Sequence, residues 1–319
     1  MNPTKSPVSV VIVTYQSREV IAQCLERALA AAEEVIVVDN QSQDGTIEEV
    51  RRYPEVKLIA NARNLGFAGG VNQGAAAASQ PYVLLLNPDA MLDRGLEALV
   101  QAASRPGAAA SCGQLCDRDG RFQAGFGIRR LPTPGALAME CLGLNRVLGW
   151  TPVNRRYRHL DFDASHAQQV EQPAGAFLLF RKEVHAELGG FDERFHPLWF
   201  EDVDFCKRLK DRGLAIWYEP AARAFHAGAH SIGKLSWDRR VEHWYASLLG
   251  YSAKHFTRPG VAMVAAAVAG GAAIRAAMGI VAVRNLKPVA VYGKVIRLAC
   301  RYLSPPVTTA AEAVLEKHS

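Results

Sequence analysis

The stretch YVLLLNPDA (Tyr82–Ala90) runs from an apolar segment to a carboxylate. Val83 to Leu86 carry no polar side chain, which is the pattern of a strand buried on both faces. Pro88 cannot donate to a sheet ladder and pushes Asn87 out of helical geometry, so the strand stops there. Asp89 is thereby set at the mouth of an element that has no solvent face. What it does there depends on the segments around it.

Upstream, VSVVIVT (Val8–Thr14) is a β-branched run of strand length. REVIAQCLERALAA has helical spacing, with Ile21, Leu25, Ala28 and Leu29 on one side. EVIVVDN is a second buried strand ending at Asp39, and Thr46-x-x-Glu49 reads as a capping box for the next helix. VKLIAN (Val56–Asn61) is a third strand, and GGVNQGAAAAS a helix of small residues. Strict alternation predicts an α/β, Rossmann-like, doubly wound fold with a mostly parallel central sheet flanked by helices. Such sheets bind ligands outside the carboxyl ends of their strands. Thr14 and Tyr15, Asp39, Asn61 with Arg63, and Asp89 all fall on that rim. This assigns Asp89 to a site rather than to the core. Asn40, Ser42 and Asp44 read as turn and cap residues.

Beyond residue 107 the alternation breaks. ASCGQLCDRDGRFQAGF reads as two strands joined at Asp119-Gly120. QPAGAFLLFRKEV is another strand, followed by a helix that stops at Gly189-Gly190. WFEDVDFCKRLKDRG is a helix, acidic at its start and basic toward its end, as the macrodipole favours. LAIWYEP is a last strand and ARAFHAGAHSIG a loop. No elements are assigned over 128–168.

A catalytic domain is expected over 1–235 and a helical region over 236–319. In the latter, VAMVAAAVAGGAAI (Val261–Ile274) has no polar side chain, but Arg275 interrupts the run. An arginine at mid-membrane is costly. PVAVYGKVIRLACRYL places Lys294, Arg297 and Arg301 on one helical face against Val295, Leu298 and Ala299, the pattern of an interfacial helix. The expectation is peripheral membrane contact through 258–303, with a packed helical hairpin as the alternative.

The 319 residues carry a net charge of +6, which suits an anionic partner such as a nucleotide, a phosphorylated substrate or a membrane surface. No nucleic-acid-binding signature is present. Six cysteines spread thinly through the chain read as reduced thiols, Cys112 and Cys116 included. The N-terminal apolar run is too short for a signal peptide. A cytoplasmic protein is expected, working at the inner face of a bacterial plasma membrane.

NARNLGFAGGVNQG (Asn61–Gly74) is glycine-rich, yet it matches neither dinucleotide fingerprint nor P-loop. A dinucleotide loop would follow the first strand, where TYQSREV has no glycine. What remains is a loop of small residues that lets a nucleotide or sugar approach the backbone.

VIVTYQS, VIVVDNQSQDGT, NLGFAGGVNQG, LLLNPDA, GAFLLFRKEV, GGFDERF, FEDVDFCKRL and AFHAGAHS occur in the order found in family 2 glycosyltransferases of the GT-A fold. Over residues 8–232 the chain resembles the branch that includes bacterial rhamnosyltransferases. The resemblance implies inverting transfer of a sugar such as L-rhamnose from a dTDP- or UDP-sugar to a glycan or lipid-linked acceptor. It implies Mg2+ or Mn2+ at Asp89, with His226 as a further ligand. The family's metal motif is commonly Asp-x-Asp; here it is Asn87-Pro88-Asp89, which leaves one carboxylate. The resemblance assigns the general base to Asp202, with Glu201 beside it. Thr14, Tyr15, Asp39, Arg63, Asn64, Gly66 and Asn87 would line the nucleotide-sugar site. Trp199 is either a sugar-stacking platform or a core residue, and His230 a surface one. Two rivals stand. A nucleotidyltransferase needs a basic signature loop after the first strand, which TYQSREV lacks. A non-catalytic glycan- or nucleotide-binding module is kept open by Asn87.

Overall fold

The computed structural model describes residues 5–228, 233–283 and 286–303. Its chain order begins β1 (Ser6–Thr14), α1 (Ile21–Ala31), β2 (Ala32–Asp39), α2 (Thr46–Val50), β3 (Lys57–Ala60), α3 (Gly66–Ala77), β4 (Tyr82–Leu86), β5 (Ala90–Arg94), α4 (Leu96–Ala103) and β6 (Ala108–Cys116). It continues with β7 (Ile128–Arg129), α5 (Pro134–Leu142), α6 (Leu144–Val147), α7 (Pro152–Tyr157), β8 (Gln168–Val170), β9 (Gln172–Pro173), β10 (Phe177–Arg181), α8 (Lys182–Glu187), α9 (Glu201–Asp211) and β11 (Ala215–His226). Further on lie α10 (Trp237–His255), α11 (Arg258–Val283) and α12 (Lys287–Leu303). The described chain forms two compact units. One runs to Thr133 and resumes over Leu148–Leu248; the other takes Pro134–Val147 and the chain from Leu249 on.

The first unit is a mixed sheet in the order β3-β2-β1-β4-β10-β6-β11-β5, with β8 also on β11. β3, β2, β1 and β4 are parallel, as the alternation predicts. β10 enters antiparallel between β4 and β6. The unbroken apolar runs follow from two-sided burial. Val10, Ile12, Val35, Val37, Leu84 and Leu86 face one core, while Val11, Val13, Ile36, Val38, Val83 and Leu85 face the other.

Several local expectations change. α2 has no side-chain cap, and Thr46 is its first helical residue rather than its cap. The Thr46 hydroxyl instead accepts Ser17 N–H at 2.8 Å and bonds Asp44, so tertiary partners displace the capping box. The expected helix of small residues is present as α3, which begins at Gly66 after a loop over 61–65. A Cβ on Gly74 would lie 2.3 Å from Val11 Cγ1, and one on Gly70 2.7 Å from Val13 Cγ1. These two glycines let α3 approach β1; they do not face a ligand.

The last strand also runs further than expected. β11 continues through Pro220 to His226, with a register shift between Glu219 and Arg223 that accommodates the proline. His226 therefore ends a strand rather than sitting in a loop. β5 was not foreseen: five residues that include Asp93 and Arg94 are too short and polar to read as a strand. They form one because β11 pairs with them across the fold, Ala90 opposite His226.

In the second unit, α12 packs Val291, Tyr292, Val295 and Ala299 inward, while Lys294, Arg297 and Arg301 are exposed. Arg275 is not stranded on the apolar helix α11. Its guanidinium donates to the Cys141 and Gly271 carbonyls.

Candidate active site

Leu86 is the last residue of β4, and the chain then turns, with Ala90 N–H donating to Asn87 O at 3.0 Å. The turn is short because β5 must start at once against β11. Asp89 is thereby buried beside the end of β11, where Ala227 N–H donates to its main-chain oxygen at 3.1 Å. Its Oδ1 lies 3.4 Å from His226 Nε2, and both side chains are almost wholly buried. Asn87 Nδ2 is also 3.4 Å from that ring nitrogen. On the far side of the ring, Gln123 Oε1 is 3.3 Å from Nδ1, while Gln123 Nε2 donates to His226 O at 3.0 Å. Phe126 stacks on the imidazole at 5.6 Å and 9°. A cleft of about 760 Å³ reaches Asp89 and His226 past Gln23, Arg27, Arg118 and Phe225.

Among the described residues no three His, Cys, Asp or Glu side chains gather as a cage. One carboxylate, one imidazole and one amide still suit a hard divalent cation whose other positions go to water and phosphate oxygens. His230 lies outside the described residues.

The acidic helix start is set against the same corner. Trp199 and Phe200 hold φ of 78° and 71°, left-handed values that bulky residues adopt only under constraint, and α9 begins at Glu201. Asp202 Oδ2 accepts Gly175 N–H at 3.0 Å, and Oδ1 accepts Val203 N–H at 2.8 Å. The next residue, Ala176, accepts Asn87 N–H at 3.1 Å. Three consecutive links thus join the proposed base to the Asn87–Asp89 turn. Gly175 leaves room for this closeness: a Cβ there would sit 3.1 Å from Asp202 Cβ, a tight contact.

The sequence favours an ionised Asp202 through the helix dipole. Burial outweighs that effect and raises its pKa, against hydrogen bonds from Gly175 and Val203 and the charge of Arg129. Glu201 is raised further, by burial and then by Asp202, and its Oε2 has no hydrogen-bond partner among the described residues. The two neighbouring carboxyls titrate as a coupled pair, and burial pushes both upward. Asp204 points elsewhere. It is fully buried and holds Arg208 Nε at 2.7 Å.

The expected nucleotide residues form a third group. Thr14 and Asp39 are opposite one another on β1 and β2, and Thr14 Oγ1 donates to Asp39 Oδ2 at 2.8 Å. Asp39 Oδ1 takes Ser42 N–H at 2.8 Å, and Thr14 and Asp39 are buried. Tyr15 is half-buried on the adjoining turn. Asn40 Nδ2 donates to Gly66 O at 2.9 Å, and Asn64 Oδ1 accepts Gly66 N–H at 2.8 Å. Gly66 has φ of 78°, and a Cβ there would lie 2.8 Å from His196 Cδ2. Phe67 N–H also donates to Pro197 O at 2.7 Å, which ties this loop to the segment leading into α9. Arg63 is exposed and has no ion pair among the described residues. Thr14, Tyr15, Asp39 and Arg63 do not line the cleft at Asp89.

Gln123, Phe126, Arg129 and Gly175 escaped the sequence reading. Gln123 and Phe126 fall in the second strand of the expected hairpin and Arg129 in a stretch with no assigned elements, and only folding brings them to His226 and Asp202.

Residues 9–189 match the model of Glycosyl transferase family 2. The chain is a family 2 glycosyltransferase. A relative, the N-acetylglucosaminyl-diphospho-decaprenol L-rhamnosyltransferase of Mycobacterium tuberculosis, is 34% identical over 70% of this chain and 77% of its own length. The rhamnosyltransferase WbbL of Escherichia coli is 25% identical over 70% of this chain and 84% of its own. Among solved structures, the mannosyltransferase PcManGT from Pyrobaculum calidifontis, in complex with GDP-Man and Mn2+, superposes with a TM-score of 0.53. It is 19% identical and covers 94% of this chain and 83% of its own. Such structural neighbours establish the GT-A fold for this glycosyltransferase.

Proposed function

We propose that this glycosyltransferase moves a sugar, L-rhamnose by the similarity to the mycobacterial relative, from a dTDP- or UDP-sugar to a hydroxyl of a lipid-linked glycan, with inversion. The observation that carries the reading is the short path from Asp202 through Gly175 and Ala176 to Asn87 and Asp89. Asp202 accepts the proton of the acceptor hydroxyl as the acceptor oxygen bonds to the sugar's anomeric carbon. The bond from that carbon to the donor diphosphate breaks on the opposite face. The diphosphate is already a good leaving group, so no second carboxyl is needed to protonate it, in contrast to inverting hydrolysis. A divalent cation held by Asp89 and His226 would supply Lewis-acid neutralisation of the leaving diphosphate. The nucleotide is assigned to the rim of Thr14, Tyr15, Asp39, Arg63, Asn64 and Gly66, with Arg63 available to pair a phosphate.

Asp89→Ala tests the cation assignment. Mn2+ affinity, read by electron paramagnetic resonance with UDP or dTDP present, should fall at least ~10–100-fold, the loss seen when even outer partners of metal ligands are removed. Transfer should fall with it, while melting temperature changes little. Unchanged Mn2+ affinity would move the cation elsewhere.

The second unit supports peripheral membrane contact. α11 is long and apolar enough to cross a membrane by length and composition, and only part of it is buried. Arg275, held by backbone carbonyls within the same unit, favours a packed hairpin over a span. Ile274, Met278, Leu144 and Val147 remain exposed, and so do Arg297 and Arg301. The intact chain should float with vesicles containing anionic lipid. Arg297→Glu with Arg301→Glu should weaken this at least ~10-fold, since each surface cation contributes about 1 kcal/mol. Equal binding to neutral vesicles would count against it. Truncation after residue 258 is a poor test, because α5 buries Leu137 and Cys141 within the unit that α11 builds.

A further inference from the structure

We propose that Gln123 is a positioning residue that fixes a proton on Nδ1 of His226 and so presents Nε2 toward Asp89 as the ligating face. The argument begins with the main-chain oxygen of His226. A carbonyl only accepts, so the atom 3.0 Å from it must be the amide nitrogen of Gln123. The orientation of the side-chain amide is thereby set. Its oxygen is then the atom 3.3 Å from Nδ1, and an oxygen at that place calls for a hydrogen on the nitrogen. Nδ1 keeps its proton whether the ring is neutral or charged. Nε2 is the variable position, and it faces Asp89 Oδ1 at 3.4 Å.

Gln123 is itself held firmly. Its N–H donates to Leu115 O at 2.9 Å, and its carbonyl accepts Gly127 N–H at 2.8 Å. Phe126, from the same segment, covers one ring face. One glutamine thus grips both the backbone and the ring of His226 at the end of β11. Histidines that bind metals commonly have the other ring N–H held by an acceptor in this way, which fixes tautomer and orientation. The inference rests on the reading that Asp89 and His226 hold a cation, and the test separates the two.

The full chain, labelled with 15N-histidine, would be examined as wild type, Gln123→Leu and Gln123→Glu. Two-bond 15N–1H spectra with Mg2+ and UDP or dTDP report where the His226 proton sits, and paramagnetic resonance reports Mn2+ affinity. Wild type should show a protonated Nδ1 and a bare Nε2. Gln123→Leu should lose that preference and bind Mn2+ ~10–100-fold more weakly. Gln123→Glu, which keeps an acceptor over Nδ1, should bind more tightly than the leucine variant and retain the Nδ1 proton. A leucine variant with unchanged affinity and unchanged protonation overturns the proposal, as does a wild-type ring protonated on Nε2. Failure of wild type to bind Mn2+ would overturn the cation reading alone, because the proton position in wild type still decides the role of Gln123. Gln123 is half-exposed, so folding should survive; if the leucine variant melts early, the glutamate variant's spectra carry the decision.

Discussion

Asp202→Asn should lower the transfer rate by ~10²–10⁴-fold, the usual contribution of general-base catalysis, while donor affinity stays near wild type. The swap preserves size but cannot take a proton. Its local cost is specific. Both carboxylate oxygens accept backbone N–H groups, from Gly175 and Val203, and an amide would turn an NH2 against one of them. Circular dichroism and melting temperature therefore accompany the kinetics. Wild type carries a further signature. Burial raises the Asp202 pKa above its ordinary value of 3.8, and only the ionised form is a base. Turnover should fall as pH drops, with an acid limb above the ordinary aspartate range. That limb should be missing from the residual activity of Asp202→Asn. A mild variant with an unchanged acid limb would remove Asp202 from the mechanism.

Asp204→Ala should leave turnover per folded molecule nearly intact and cost stability instead. Asp204 is fully buried and pairs with Arg208, whose side chain is 18% exposed. The guanidinium also donates to Leu188 O at 3.0 Å and Gly190 O at 2.8 Å, joining α9 to the end of α8. Removing the carboxylate leaves a largely buried cation with carbonyls alone. Breaking a buried pair in this way costs about 3–5 kcal/mol. At roughly 2–4 °C per kcal/mol for a domain of this size, the melting temperature should fall by roughly 6–20 °C. Asp204→Asn keeps an acceptor for Arg208 and should lose less. Severe loss of transfer in Asp204→Asn beside a mild Asp202→Asn would place the base two residues along.

These neighbours show how far local sequence reaches. EDVD on one helix start offers three carboxylates, and helical spacing alone says they point in different directions. It does not say that one meets Gly175 and another Arg208. Resemblance to the family's motif order assigned Asp202, and the structure gives that assignment its surroundings. The local reading named only the helix dipole, whereas desolvation in the folded protein adds an opposing effect that raises the Asp202 pKa.

The sequence by itself determined the parallel half of the sheet. Apolar runs of strand length, broken by Asp39, Asn61 and Asn87-Pro88, leave few alternatives when helices lie between them. It also placed the polar rim, because strand ends follow from where apolar runs stop. Tertiary structure alone decided the rest. β5 exists because β11 covers it, His226 ends a strand because β11 runs past Pro220, and Gln123 reaches the imidazole from more than a hundred positions away. The same holds for the glycines of α3. The sequence called for a helix of small residues there, but that Gly74 and Gly70 leave room for the branched side chains of Val11 and Val13 is a fact of packing. Burial and pairing between distant segments leave no periodic trace in either segment, so patterns read along the chain record strands and turns but not the partners that complete a site.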